Sequence, residues 1–186
     1  MISIPVIILL VIAACVLLWL ATTFNKLVGF RTRMEEAWSI IDVFLKKRHD
    51  LIPNLMDVVQ NYATHERETL DNVVRCRAEA LQAKSPEEKI KAEQGLEGVL
   101  GRLMAVTENY PNLKANENFL DLQKRLGDLE SEISTARRYY NGTVRENNIY
   151  VASFPSNIVA GIFNFAKGVF FEIAEKEKAV PRMPAK

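Results

Sequence analysis

The stretch that decides the fold is residues 2–24, which read ISIPVIILLVIAACVLLWLATTF and carry no charged side chain. As an α-helix, these 23 residues would extend about 34 Å, and the hydrocarbon core of a bilayer is about 30 Å thick. The chain becomes highly charged directly afterwards, with no linker between the two parts. We therefore predict a transmembrane anchor at residues 1–25 that continues into a helical domain.

Two other interpretations of the apolar start are weaker. A cleavable signal peptide has basic residues before a short apolar core, and here the first basic residue is Lys26. Residues 12–15 resemble a bacterial lipobox in which Cys15 would be lipidated, but the apolar run continues past that cysteine. A retained anchor fits best, and lipidation of Cys15 stays open.

The basic residues around the anchor predict its orientation. Lys26, Arg31 and Arg33 follow the apolar stretch and none precedes it, so the positive-inside rule places the N-terminus outside and the rest of the chain in the cytoplasm. Cys15 and Cys76 cannot form a disulfide framework, which agrees with a reducing compartment.

The near-zero net charge of the chain limits the kinds of partner that we expect. The chain has 24 basic and 23 acidic residues. Binding of nucleic acid depends on an excess of basic side chains that neutralise phosphates. We therefore expect no nucleic acid among the partners.

The periodicity of apolar residues predicts an all-α fold. Apolar side chains recur at steps of three and four residues in four stretches, and no sustained alternation indicates a strand. The fourth stretch has the most regular heptad pattern, which is typical of coiled-coil packing. Proline marks the predicted breaks, namely a turn or kink at residues 49–52 before Pro53, a cap at Ser85 before Pro86, and ends at Pro111 and Pro155. Residues 26–150 are thus predicted to form an antiparallel four-helix bundle.

An amphipathic segment follows the predicted bundle at residues 151–175, and residues 176–186 are predicted to be a flexible tail. Alternating helix directions would return the chain to the bilayer near Phe154, and residues 158–173 are predicted to be an amphipathic helix. Its apolar side is the predicted contact with the membrane or with another subunit: Ile158, Ile162, Phe163, Phe165, Val169 and Phe170. The alternative, that this side caps the chain's own bundle, stays open.

No catalytic, cofactor or metal residues are identified. His49 and His65 both lack the glutamate three residues earlier that di-metal bundles use. Several polar residues nevertheless fall near the apolar rows: Asp42, Arg48, Asn54, Glu66, Arg77, Arg137 and Asn147. We expect them to pair between helices and fix the register, while a ligand site is the alternative.

Four blocks of sequence resemble the LemA family of bacterial membrane proteins. They are EAWSIIDVFLKKR with DLIPNL at residues 36–55, ENYPNLKANENF at 108–119, ARRYYN at 136–141 and FPSN at 154–157. The resemblance implies a single N-terminal span, an extracytoplasmic N-terminus and a cytoplasmic helical domain in the bacterial inner membrane. It implies no activity, and the frequent gene neighbourhood with heat-shock membrane zinc metalloproteases suggests an envelope partner of that kind.

The expected function is that of a membrane-anchored, non-enzymatic scaffold or interaction protein of the cell envelope that self-associates. Membrane lipid and a second copy of the chain are the expected partners. The alternative is a membrane-bound enzyme or a ligand-sensing regulator with a carboxylate site inside the bundle.

Overall fold

The computed structural model describes residues 3–171 and consists of helices joined by short connections. The helices are α1 (Ile4–Tyr62), α2 (Arg67–Gln82), α3 (Pro86–Thr107), α4 (Pro111–Lys114), α5 (Glu117–Ala152) and α6 (Ser156–Ile162). No strand occurs among these residues, so the all-α prediction is confirmed. The predicted tail at residues 176–186, and the end of the segment before it, lie outside the described residues.

The N-terminal part of α1 has the properties of a membrane span. Within residues 3–171, α1 is the one helix that is long and apolar enough to cross a bilayer. Side chains from Ile4 to Leu18 are exposed, and none packs into the protein. A continuous apolar surface of this length is suited to lipid rather than to water.

Helix α3 begins at the predicted cap. The backbone N–H of Glu88 donates to Ser85 Oγ at 3.2 Å, and the backbone N–H of Ser85 donates to Glu88 Oε2 at 3.3 Å. The backbone N–H groups of Lys84 and Ser85 hold the pKa of the Glu88 carboxyl below its ordinary value. Pro86 occupies the first turn, where a missing N–H costs little.

The chain divides into two compact units. The first unit combines residues 3–40 with 138–170, and the second combines residues 41–137 with Phe171. Both α1 and α5 contribute to both units. The domain boundaries predicted at residues 25 and 150 stay predictions.

The second unit has an apolar core to which α1, α2, α3, α4 and α5 contribute. Its fully buried side chains include Ile52, Leu55, Val59, Val73, Leu96, Leu103 and Leu113. Asn116 Nδ2 donates to Tyr62 Oη at 3.0 Å, and Arg48 contacts Glu130 at 2.7 Å. Along these contacts the residue numbers of α1 increase while those of α5 decrease. The two helices are therefore antiparallel in this unit.

Of the turn or kink predicted at residues 49–52, the turn is wrong, because α1 continues through Pro53 to Tyr62. Proline lacks the N–H that would bond the carbonyl of His49, four residues earlier. Arg77 of α2 supplies the missing donor, since its Nε lies 2.9 Å from the His49 carbonyl oxygen. The helix can therefore continue without an unsatisfied carbonyl, and the chain turns at residues 63–66 instead.

The predicted C-terminal helix is present but ends at Ile162 instead of continuing to Ile173. Asn164 has a left-handed φ of 56°. The N–H of Phe165 donates to the carbonyl of Ala160 at 2.9 Å, and that of Asn164 donates to Gly161 at 3.4 Å. This is a Schellman motif, which satisfies the last carbonyls and directs the chain out of the helix.

The non-helical segment after α6 lies along α5. Gly168 exchanges two hydrogen bonds with the side chain of Asn148, at 2.7 Å and 2.9 Å. Tyr140 Oη donates to the carbonyl of Val169 at 2.9 Å. These bonds replace the helical hydrogen bonds that residues 165–171 lack.

Removing the Arg77 donor should destabilise the protein only while Pro53 is present. We expect Arg77→Met to lower the unfolding free energy by about 1–3 kcal/mol, since it leaves the carbonyl of His49 without a partner. In a Pro53→Ala background the alanine N–H can bond that carbonyl, so the loss should be smaller. Chemical unfolding of the full chain and of all three variants measures the coupling, and equal losses in both backgrounds would contradict this explanation.

Candidate functional site: a buried charged cluster

Two adjacent residues of α1, Arg48 and His49, point into the second unit. Arg48 is 0% exposed and His49 is 5% exposed. Helix α3 places Glu93 against them, and this carboxylate is 2% exposed. Buried charges are costly unless they are paired and hydrogen-bonded, so the arrangement of partners decides whether the cluster is stable.

The three side chains are joined directly. Arg48 forms an ion pair with one carboxylate oxygen of Glu93, and His49 Nε2 lies 2.8 Å from the other. The second terminal nitrogen of Arg48 donates to Glu130 Oε1 of α5 at 2.7 Å. Both oxygens of Glu93 therefore have a partner, and Arg48 links α1 to α3 and α5.

The electrostatics keep the cluster ionised. Burial opposes the charge on Arg48, but the carboxylates of Glu130 and Glu93 outweigh it and raise the pKa of Arg48 above its ordinary value. Burial would raise the pKa of Glu93, but its hydrogen bond to His49 and the charge on Arg48 hold that pKa below the ordinary value. The pair is thus a carboxylate and a guanidinium.

Most of the polar residues that sequence analysis selected do pair between elements. The ammonium group of Lys89 lies 3.0 Å from both oxygens of Asp42. Arg137 donates to Glu97 at 3.0 Å and lies 4.4 Å from the ring centre of buried Phe171.

The remaining selected residues differ in their surroundings. Glu66 accepts from Tyr110 Oη at 3.1 Å, and Asn147 Nδ2 donates to the carbonyl of Ala166 at 3.4 Å. Asn54 is exposed, so its expected place near the core is wrong.

Sequence analysis missed Glu93 and did not assign His49 to this cluster. Glu93 lies three residues after Ile90 and three before Leu96, both of them buried. A glutamate within an apolar row at helical spacing was therefore the available signal. The position of His49 was hidden because a turn or kink was predicted there.

The cluster has the character of a structural ion network. Among residues 3–171, no group of three or more histidine, cysteine, aspartate or glutamate side chains is placed to hold a metal ion. The carboxylates of Glu93 and Glu130 are both engaged by Arg48. Three buried nitrogens of these described residues lack hydrogen-bond partners, namely Arg48 Nε, His49 Nδ1 and Arg137 Nε.

The predicted contact residues of the C-terminal segment lie in the first unit. Some apolar side chains of α6 are buried there, and others are exposed. Val159 and Ala160 are buried with Leu27 of α1, whereas Ile158 and Ile162 are 49% and 63% exposed. We call the exposed residues Ile158 and Ile162 of α6, together with Phe154 just before this helix, the outer face of α6.

The aromatic residues after α6 contact the end of the apolar part of α1. The ring of Phe24 lies 4.8 Å from that of Phe163 and 5.6 Å from that of Phe165. Val169 and Phe170 are 40% and 39% exposed. The segment therefore covers part of its own unit and also leaves apolar side chains uncovered.

In the part of the chain that the structure describes, these features define a helical protein with one candidate membrane span and a buried ion network. A sequence profile described as the LemA family matches residues 37–184. The chain belongs to the LemA family.

Magnetosome MamQ proteins and a LemA protein are similar to this chain at low sequence identity. Magnetosome protein MamQ 2 of Paramagnetospirillum magneticum is 26% identical over 198 residues, covering 90% of this chain and 73% of that protein. Protein LemA of Metamycoplasma hominis is 27% identical over 158 residues, covering 83% of this chain and 71% of that protein. Magnetosome protein MamQ of Magnetospirillum gryphiswaldense is 24% identical, covering 82% of this chain and 67% of that protein.

Breaking the buried ion pair should strongly destabilise the protein. We expect Arg48→Met to cost about 3–5 kcal/mol, because it leaves the buried carboxylate of Glu93 without its cation. The matched control is Lys89→Met, which removes a half-exposed pair with Asp42 and should cost about 0–1 kcal/mol. Thermal unfolding of the full chain compares them, and similar losses would place Arg48 outside the stabilising network.

Acid should remove the contribution of Glu93. A carboxyl with a lowered folded-state pKa stabilises the folded protein above its unfolded pKa, and this stability disappears as the pH falls through the folded value. The difference in unfolding free energy between the natural chain and Glu93→Gln should therefore shrink below about pH 4.5, the ordinary value. Unfolding curves at a series of pH values measure it, and a difference that grows on acidification would contradict the ionised state.

Proposed function

We propose that this protein is a membrane-anchored, non-enzymatic scaffold or interaction protein of the bacterial cell envelope that self-associates. The observation that carries the proposal is the apolar surface of the first unit. Exposed side chains cover α1 from Ile4 to Leu18, and the outer face of α6 adds Phe154, Ile158 and Ile162 close to the same part of the unit. Such a surface is suited to contacts with lipid and with other protein chains.

The charged cluster supports a structural role for the second unit. A carboxylate enzyme or a ligand-sensing site would use acidic groups that are free to bind a substrate, a metal ion or a proton. Glu93 instead has both oxygens bonded by Arg48 and His49, and Glu130 is paired with Arg48. These acidic groups stabilise helix packing, so the scaffold is favoured over the enzyme or sensor.

The relatives agree with a role in interaction. Two of them are named for the magnetosome and one is named Protein LemA, and none of these names states a reaction. The resemblance of the sequence to its family also suggests a membrane metalloprotease as an envelope partner, and that partner belongs to this proposal.

The proposed location is the bacterial inner membrane, with a single pass, an outside N-terminus and a cytoplasmic helical domain. Lys26, Arg31 and Arg33 follow the apolar part of α1 and are exposed. Basic residues on one side of a span favour the cytoplasm on that side.

Self-association is tested by the oligomeric state of the full chain in a mild detergent. We expect an oligomer by light scattering, because the outer face of α6 offers a contact for a second copy. Ile158→Ser with Ile162→Ser should shift it towards monomer if this face is the subunit contact. The matched control is Ile149→Ser with Val74→Ser, which changes two side chains that are 59% and 52% exposed elsewhere.

Two results would change this proposal. A natural chain that is monomeric at every concentration would contradict self-association. An oligomer that is unaffected by either pair of substitutions would assign the outer face of α6 to lipid and place the subunit contact elsewhere.

Topology is tested by labelling single cysteines in intact cells. Cys15 and Cys76 are first replaced by serine. An impermeant reagent should then modify a cysteine introduced by Ser3→Cys but not one introduced by Lys114→Cys, an exposed position. The reverse pattern would place the helical domain outside the cell.

A further inference from the structure

Two cavities of the first unit meet at Arg31. The first, about 450 Å³, is lined by apolar and polar side chains together: Phe24, Val28, Phe163, Phe165, Arg31, Thr32 and Glu35. The second, about 350 Å³, is lined by Arg31, Met34, Asn147, Asn164, Phe165 and Lys167. Arg31 and Phe165 line both cavities, so the aromatic side chains Phe24 and Phe163 of the first cavity lie near the cationic side chains of Arg31 and Lys167.

The position of Arg31 along α1 corresponds to the headgroup layer of a membrane. Phe24 ends the apolar run, and Arg31 lies seven residues later, about 10 Å further along the helix axis. The headgroup region is about 5–8 Å thick on each side of the hydrocarbon core. Because helical side chains tilt towards the N-terminus and long basic ones reach towards the interface, the guanidinium of Arg31 can reach this layer.

The cations at the second cavity are available to a ligand. Arg31 is paired with Glu35 at 2.9 Å, but these side chains are 65% and 59% exposed, and such surface pairs contribute little. The side chain of Lys167 is exposed. The described part of this unit contains six basic side chains and three acidic ones, which favours a negatively charged ligand.

We propose that the phosphate group of an anionic phospholipid binds between Arg31 and Lys167. Its acyl chains lie against the apolar side chains Phe24, Val28 and Phe163 of the first cavity, and Asn164 offers a further donor beside the phosphate. This inference rests on the membrane anchoring in the proposed function, but it does not depend on self-association.

The charges of the cavity select among lipids. A phosphodiester with an uncharged headgroup brings one negative charge to two cations. A choline headgroup carries its own cation, which Arg31 and Lys167 would repel. The site therefore prefers phosphatidylglycerol to phosphatidylcholine. Glu35 lies beside the same cavity and competes with the phosphate for Arg31.

The test is native mass spectrometry of the purified full chain in detergent, titrated separately with phosphatidylglycerol, phosphatidylcholine and inorganic phosphate. We expect phosphatidylglycerol to bind in preference to phosphatidylcholine. Arg31→Gln with Lys167→Gln should weaken its binding by about tenfold or more, as expected for the loss of charge-assisted hydrogen bonds. Glu35→Gln should strengthen binding, since it releases Arg31 and removes a negative charge.

The matched control is Arg125→Gln with Arg145→Gln, which removes the same charge at two exposed positions that line neither cavity. Equal weakening of phosphatidylglycerol binding in the control would mean that the overall charge of the protein determines binding. That result would contradict a site at Arg31 and Lys167. Equal binding of both lipids would overturn the selectivity. Displacement of the lipid by inorganic phosphate at similar concentration would assign the cavity to free phosphate.

Two further measurements separate this inference from the proposed function. Co-sedimentation with cell membranes shows whether each variant is still anchored, and light scattering shows its oligomeric state. A chain that stays anchored and oligomeric but shows no lipid preference contradicts only the lipid site. A monomeric chain that keeps the preference contradicts only the scaffold.

Discussion

The second unit depends on the buried carboxylate of Glu93 and the two α1 residues that it joins. Arg48 and His49 are bonded to Glu93 of α3, and Arg48 also contacts Glu130 of α5. The backbone carbonyl of His49 accepts from Arg77 of α2. One turn of α1 is thus bonded to each of the other three long helices.

We expect this arrangement to fix the register of the helices more strictly than an apolar core would. Leucine and valine rows can shift by one turn and still bury apolar surface, whereas a shift here would leave a buried charge without its partner. Pro53 belongs to the same arrangement, because the carbonyl it leaves unbonded is the one that Arg77 uses. A residue that usually ends a helix therefore creates an acceptor for a neighbouring helix.

The first unit is organised by apolar contacts near the end of the membrane span. Leu27 is buried with Val159 and Ala160, and Phe24 contacts two aromatic residues after α6. The Schellman motif at Asn164 then directs the chain along α5, where Asn148 and Tyr140 bond its backbone. The amphipathic pattern predicted a helix over residues 158–173, but periodicity could not reveal that a left-handed asparagine would end it at Ile162.

The sequence by itself determined the features that depend on neighbouring residues. The apolar run, the cap at Ser85 and the helical periodicity act over a few residues, so they predicted the candidate span, the start of α3 and the all-α fold. Tertiary structure alone decided that α1 passes through Pro53 and that Glu93 is buried, because both depend on a partner from a distant helix. The donor for His49 comes from Arg77, and the charge that stabilises Glu93 comes from Arg48, 45 residues away. The local sequence shows only that a hydrogen-bond donor is missing at Pro53 and that a charged residue falls in an apolar row at Glu93. The side chains that compensate for both come from other helices, so only the packed structure reveals them.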